Sequence, residues 1–84
     1  MLIIGCSNSR QLAKSISKKL KANYSDLTVK HFPDGELYIK FEENLRNKEV
    51  ILVQTFHPPN ESILEVILAG YTARELGAKK LTLV

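Results

Sequence analysis

The sequence predicts an α/β domain built on a mainly parallel sheet, and three observations carry that prediction. Leu2-Ile3-Ile4 and Val50-Ile51-Leu52-Val53 are short, continuous apolar runs, the pattern of strands buried on both faces. A third run, Leu81-Thr82-Leu83-Val84, stands at the end of the chain. Between the runs lie segments whose apolar residues recur at helical spacing, and strands alternating with helices specify a parallel sheet covered on both sides. With 84 residues, there is room for one small domain.

Taken in order, Leu2–Ile4 ending in Gly5 form the first strand. Ser7, Asn8 and Ser9 offer N-cap oxygens for a helix in which Leu12, Ile16 and Leu20 recur every four residues as one stripe. Residues 27–32 and 36–41 alternate in polarity around Pro33-Asp34-Gly35, the pattern of a hairpin. Glu49 to Gln54 enclose the second apolar strand. Asn60 can cap a helix whose expected buried face is Ile63, Leu64, Ile67, Leu68 and Tyr71, with Glu61 in its first turn and Arg74 in its last matching the helix dipole, and Gly77 fitting the C′ position. Lys80 then opens the last strand. The expected order is β-α-β-β-β-α-β. Three core strands and two helices leave one face poorly covered, so residues 1–84 are expected to be a single, incomplete domain.

Composition excludes several functions. Apolar residues make up 44 % and charged residues 25 %, ordinary for a soluble globular chain. The net charge of +3 is mild, and Lys14, Lys18, Lys19 and Lys21 read as the wet face of one helix rather than a nucleic-acid surface. No apolar run approaches the ~20 residues that span a bilayer, and no signal peptide precedes Leu2, so a cytoplasmic protein is expected. Cys6 is the sole cysteine; it cannot form an internal disulfide and reads as a partly buried structural thiol rather than a nucleophile. His31 and His57 lack the close spacing of a metal site, and no metal is assigned.

The hairpin carries the chemical signal. Pro33-Asp34-Gly35 is, in the first instance, a turn: proline presets φ, aspartate bonds back to its backbone and glycine accepts positive φ. If those residues make a three-residue loop, 32 lies opposite 36, 30 opposite 38 and 28 opposite 40. His31 with Leu37, Val29 with Ile39, and Leu27 with Phe41 then form the apolar face. Phe32 is left on the polar face with Thr28, Lys30, Glu36, Tyr38 and Lys40. An aromatic ring on the wet side beside two carboxylates suits a platform on which a purine stacks, its exocyclic amine donating to a carboxylate or backbone acceptor. A subunit contact explains the same exposed ring, and both roles can hold together.

These residues also resemble a known family. Ile3-Ile4-Gly5-Cys6-Ser7-Asn8-Ser9, the Phe32-Pro33-Asp34-Gly35-Glu36 hairpin with Tyr38, Arg46, the strand Val50 to Gln54, Asn60 to Glu65, and Gly77 to Thr82 are similar to the N-terminal part of ribose-phosphate pyrophosphokinases, most closely in style to archaeal members. The resemblance implies a type I phosphoribosyltransferase-like, Rossmann-like parallel sheet with a projecting hairpin, cut short here. It implies an enzyme that transfers diphosphate from Mg-ATP to ribose 5-phosphate, giving phosphoribosyl diphosphate and AMP, and that works as a homodimer or higher homo-oligomer. In that family the hairpin enters the neighbouring subunit's active site, so Phe32 is expected to stack on adenine, Asp34 to contact its amine and Glu36 to support the pocket. Arg46 matches a position near an allosteric phosphate site of some members. The family's Arg-Gln loop, metal-binding His and ribose-phosphate loop have no counterpart within residues 1–84, so no catalytic residue and no magnesium ligand is expected here. The 84-residue chain is expected to be inactive alone. The alternatives are a non-catalytic, synthetase-associated assembly module and a small Rossmann-like binding domain; Gly5 followed by Arg10 lacks the three spaced glycines of a dinucleotide site.

Overall fold

A computed structural model describes residues 1–56 and 59–84, with residues 59–61 by backbone alone. Its elements are β1 (Leu2–Gly5), α1 (Arg10–Leu20), β2 (Asn23–His31), β3 (Leu37–Phe41), β4 (Glu49–Val53), α2 (Pro59–Glu75) and β5 (Lys80–Leu83). That is the order the sequence predicts. The expectations for His57, the Asn60 cap and the Glu61 side chain lie outside the described residues.

The five strands form one sheet in the order β3-β2-β1-β4-β5. β2, β1, β4 and β5 are parallel, and β3 pairs antiparallel with β2 at one edge. The sheet thus has four parallel strands where three apolar runs were legible. The fourth is the first half of β2, Asn23–Asp26, which pairs with β1 although its sequence, Asn-Tyr-Ser-Asp, is polar. Its second half, Leu27–His31, leaves β1 behind and pairs only with β3. The hairpin therefore projects past the parallel sheet because one long strand serves two partners in succession.

Helices cover both faces. Ile3 and Val53 pack on one face with Ala13 of α1; Leu2, Ile4, Leu52 and Val50 pack on the other with Ala69 and Ala73 of α2. β1 ends in Gly5 because α1 passes so close: a Cβ there would stand 3.1 Å from Ala13 Cβ and Arg10 Cα, and 2.7 Å from Tyr24 Oη. α2 closes as predicted. The Gly77 N–H donates to Arg74 O (3.0 Å) and the Ala78 N–H to Ala73 O (3.1 Å), with Gly77 at φ +91°. This paired 5→2 and 6→1 bonding is the Schellman arrangement.

The helix faces differ from expectation. In α1 the buried positions are Ala13 and Ser17, while Leu12 and Leu20 are exposed. In α2 the buried positions are Ser62, Glu65, Ala69 and Ala73. Ile63, Leu64, Ile67 and Tyr71, expected inside, are 46, 53, 63 and 67 % exposed. Small residues let a helix lie close on a sheet and fill the interface without voids. Larger apolar side chains are then turned outward.

Candidate functional site

The hairpin tip is built as its sequence dictates. The Gly35 N–H donates to Phe32 O (2.9 Å), closing a turn with Pro33 and Asp34 at its centre. Gly35 follows at φ +91°, a conformation that costs a side-chain-bearing residue energy, and so returns the chain into β3. The Phe32 N–H then donates to Glu36 O (2.9 Å), and the Asp34 carboxylate accepts the Glu36 N–H (3.1 Å). Position 32 thus faces 36, and the ladder runs Lys30 to Tyr38, Val29 to Ile39 and Leu27 to Phe41, register for register as expected.

The consequence is a tip anchored on one side and open on the other. Val29, Ile39, Leu27 and Phe41 join the apolar core under α2. On the opposite side Phe32 and Tyr38 are 46 and 44 % exposed, and Asp34, Glu36, Lys30 and Lys40 are exposed around them. Phe32, Asp34 and Glu36 therefore share one solvent-facing tip. A flat ring on a backbone that two hydrogen bonds fix in its own turn can stack against a planar ligand at reduced entropic cost, because the turn is ordered before the ligand arrives. Arg46 is not brought there. It lies in the β3–β4 connection at the other end of the strands, its N–H bonded to Asn44 Oδ1 (3.0 Å), beside Gly77, where a Cβ would stand 3.4 Å from Arg46 Cγ.

A second polar cluster, at the C-terminal ends of β1 and β4, was not legible beforehand. Ser7 donates both its N–H (2.8 Å) and its hydroxyl (2.5 Å) to the buried Glu65 carboxylate of α2. Asn8 Nδ2 donates to Ser62 Oγ (2.9 Å), and Ser9 Oγ meets both the Thr55 hydroxyl (2.8 Å) and the Thr55 N–H (2.6 Å). The Ser-Asn-Ser side chains expected to cap α1 instead tie the β1–α1 loop to Thr55, just past β4, and to α2; α1 has no side-chain cap. Glu65, a lone charge among Ile63, Leu64, Val66, Ile67 and Leu68, was the available signal. Cys6 lies fully buried beside this cluster, its thiol pushed up to about 12 by burial and then by the Glu65 charge. It is a structural thiol. Among the described residues no group of three or more His, Cys, Asp or Glu is placed to hold a metal ion, and no helix is long and apolar enough to cross a membrane.

Comparison with known proteins decides the family. A sequence model of the N-terminal domain of ribose phosphate pyrophosphokinase matches residues 1–84. The chain belongs to that family. Ribose-phosphate pyrophosphokinase from Saccharolobus solfataricus is 42 % identical over 85 residues, covering all of this chain and 29 % of the relative. The Pyrococcus abyssi relative is 39 % identical over 100 % of this chain and 28 % of its own length; that of Mycoplasma genitalium is 34 % identical over 99 % and 25 %. The chain thus spans between a quarter and a third of these pyrophosphokinases. In fold it is similar to phosphoribosylpyrophosphate synthetase from Mycobacterium smegmatis (TM-score 0.81, 23 % identity, covering 98 % of this chain and 28 % of that one). It is also similar to a purine phosphoribosyltransferase from Pyrococcus horikoshii (TM-score 0.71, 22 % identity, 99 % and 57 %). The pyrophosphokinase domain accordingly has the type I phosphoribosyltransferase-like fold expected from its sequence.

Proposed function

We propose that this chain is the N-terminal part of a ribose-phosphate pyrophosphokinase and supplies its β2–β3 hairpin as an adenine platform for a neighbouring subunit. The parent enzyme transfers diphosphate from Mg-ATP to the 1-hydroxyl of ribose 5-phosphate. A bond forms from that oxygen to the β-phosphorus, the bond from the β-phosphorus to the AMP oxygen breaks, and the hydroxyl proton is lost. In this reading Phe32 stacks on the base, Asp34 accepts from the exocyclic amine and Glu36 borders the pocket. The enzyme is cytoplasmic and works as a homodimer or larger homo-oligomer. Arg46, far from the tip, serves at most a separate phosphate site.

The observation that supports this best is Phe32: a large aromatic ring, nearly half exposed, fixed by its own turn beside two carboxylates. The described residues do not form a ligand set for magnesium, and no step of the proposed base binding passes through it. Phosphoryl transfer needs cationic groups clamped on the phosphates, a task left to the rest of the parent enzyme, so the 84-residue chain binds and assembles rather than catalyses.

The test is steady-state kinetics of a full-length enzyme carrying this domain. Phe32→Ala is expected to weaken ATP by about 1–3 kcal/mol through lost stacking, with the KM for ribose 5-phosphate unchanged and Phe32→Tyr mild. An unaltered ATP KM in Phe32→Ala would leave the ring with a subunit contact only.

A further inference from the structure

β2 changes partners between Asp26 and Leu27. Asp26 is the last residue that β1 pairs, opposite Gly5, and Leu27 is the first that pairs with β3. The Phe32 N–H donating to Glu36 O makes 32 and 36 a hydrogen-bonded pair, so bonded pairs recur at 30 with 38 and 28 with 40. Residues 27, 29 and 31 therefore turn their backbone groups away from β3, and the Leu27 carbonyl faces the side that β1 has just left. It has a partner there. Arg10 Nη2, from the first residue of α1, donates to Leu27 O at 2.9 Å. The root of that side chain is itself held. Ser9 Oγ bonds to both the hydroxyl and the N–H of Thr55, and Gly5 lets the helix start come close, since a Cβ there would stand 3.1 Å from Arg10 Cα.

We infer that Arg10 is a positioning residue: it fastens the base of the hairpin to the start of α1 and so sets where Phe32 stands. Its purpose rests on the adenine-platform reading; its geometry does not. Five residues at about 3.3 Å each put Phe32 about 16 Å beyond Leu27, so a tilt of about 5° at the base moves the ring by about 1.4 Å. Val29 and Ile39, with Leu27 and Phe41, already pack the hairpin's apolar face into the core. Apolar burial is non-directional, however, and tolerates sliding. A guanidinium bonded to one named carbonyl has a direction, and a charged donor makes a stronger hydrogen bond than a neutral one. Packing thus holds the arm against the core, and Arg10 sets its angle at the edge that β1 no longer pairs.

Two measurements on a full-length enzyme carrying this domain test it. Arg10→Met keeps the apolar stem and removes the donors, and Arg10→Lys keeps a charged donor on a similar stem. Arg10→Met is expected to raise the KM for ATP about fivefold, with kcat, the KM for ribose 5-phosphate and the melting temperature unchanged, because Arg10 is exposed. Arg10→Lys should recover most of that loss. Nitroxide labels replacing the exposed Lys19 and Lys30, in labelled subunits diluted among unlabelled ones, report the hairpin's position without nucleotide. Their distance distribution should broaden in Arg10→Met and narrow again in Arg10→Lys. Distances as narrow in Arg10→Met as in wild type overturn the inference. So does an ATP KM unmoved by Arg10→Met but raised by Phe32→Ala, or a rise shared equally by both substrates. An ATP KM unmoved by both variants overturns the platform reading instead, and the distances then judge the fastening by themselves.

Discussion

Gly35 and Phe32 show how a few residues shape the proposed platform. Positive φ at Gly35 closes the loop at three residues, the loop length sets which side chain faces which, and that register turns Phe32 to solvent. Cys6 shows the opposite outcome at the same scale, a reactive group made inert by burial. Its folded pKa of about 12 lies above the ordinary value of 9.0, so the unfolded chain gives up the thiol proton first as pH rises. Stability from this group is therefore complete below pH 9 and lost progressively as pH climbs through 12, by about 1.4 kcal/mol per pH unit in that window. Tyr24, raised to about 12 by burial and by its 2.5 Å hydrogen bond to Asp26, acts in the same direction, less strongly because it is partly exposed to solvent. Urea titrations at pH 8 and pH 10.5 are expected to show this alkaline loss, and Cys6→Ala should flatten it. An equally steep loss in Cys6→Ala would assign it to other groups.

The elements divide by how plainly their sequences spoke. The hairpin register was legible because a strand has a strict period of two and Pro-Asp-Gly fixes the loop. The end of α2 was legible because Gly77 accepts a positive φ. The helix faces were not. Apolar residues surround most of α2, so periodicity alone selects no side, and in α1 the large Leu12 and Leu20 carry a stronger apolar signal than Ala13 and Ser17. Side-chain volume at the sheet decides instead, and sequence spacing does not report it. The Ser7–Ser9 oxygens were misassigned for a related reason: a local cap was the nearest use for them, whereas Glu65 and Thr55 reach them from 58 and 46 residues away. The face assignment has a direct check by chemical denaturation. Ala13→Leu forces extra volume where α1 meets β1 and should cost about 1–3 kcal/mol. Leu12→Ala on the open side should stay within about 0.5 kcal/mol. A reversed order would restore the leucine stripe as the buried one.

At the scale of the whole molecule, the sheet order puts β1 at the centre, flanked by β2 and β4, with its chain neighbours leaving in opposite directions. In such sheets the crevice at the strand ends beside that reversal is where ligands ordinarily bind. Here hydrogen bonds cross it in pairs, Ser7 to Glu65, Asn8 to Ser62 and Ser9 to Thr55. The proposed platform is instead the projecting hairpin, whose Phe32 face no described residue of the chain walls off. A platform of this kind acts only where another surface completes it, which is why base binding is proposed for the assembled parent enzyme alone. The most direct measurement replaces Phe32 with 4-fluorophenylalanine in a full-length oligomeric enzyme and follows the fluorine resonance by NMR. The adenine-platform account predicts a saturable shift on adding ATP or AMP and none with ribose 5-phosphate alone. A resonance unmoved by saturating ATP would contradict it.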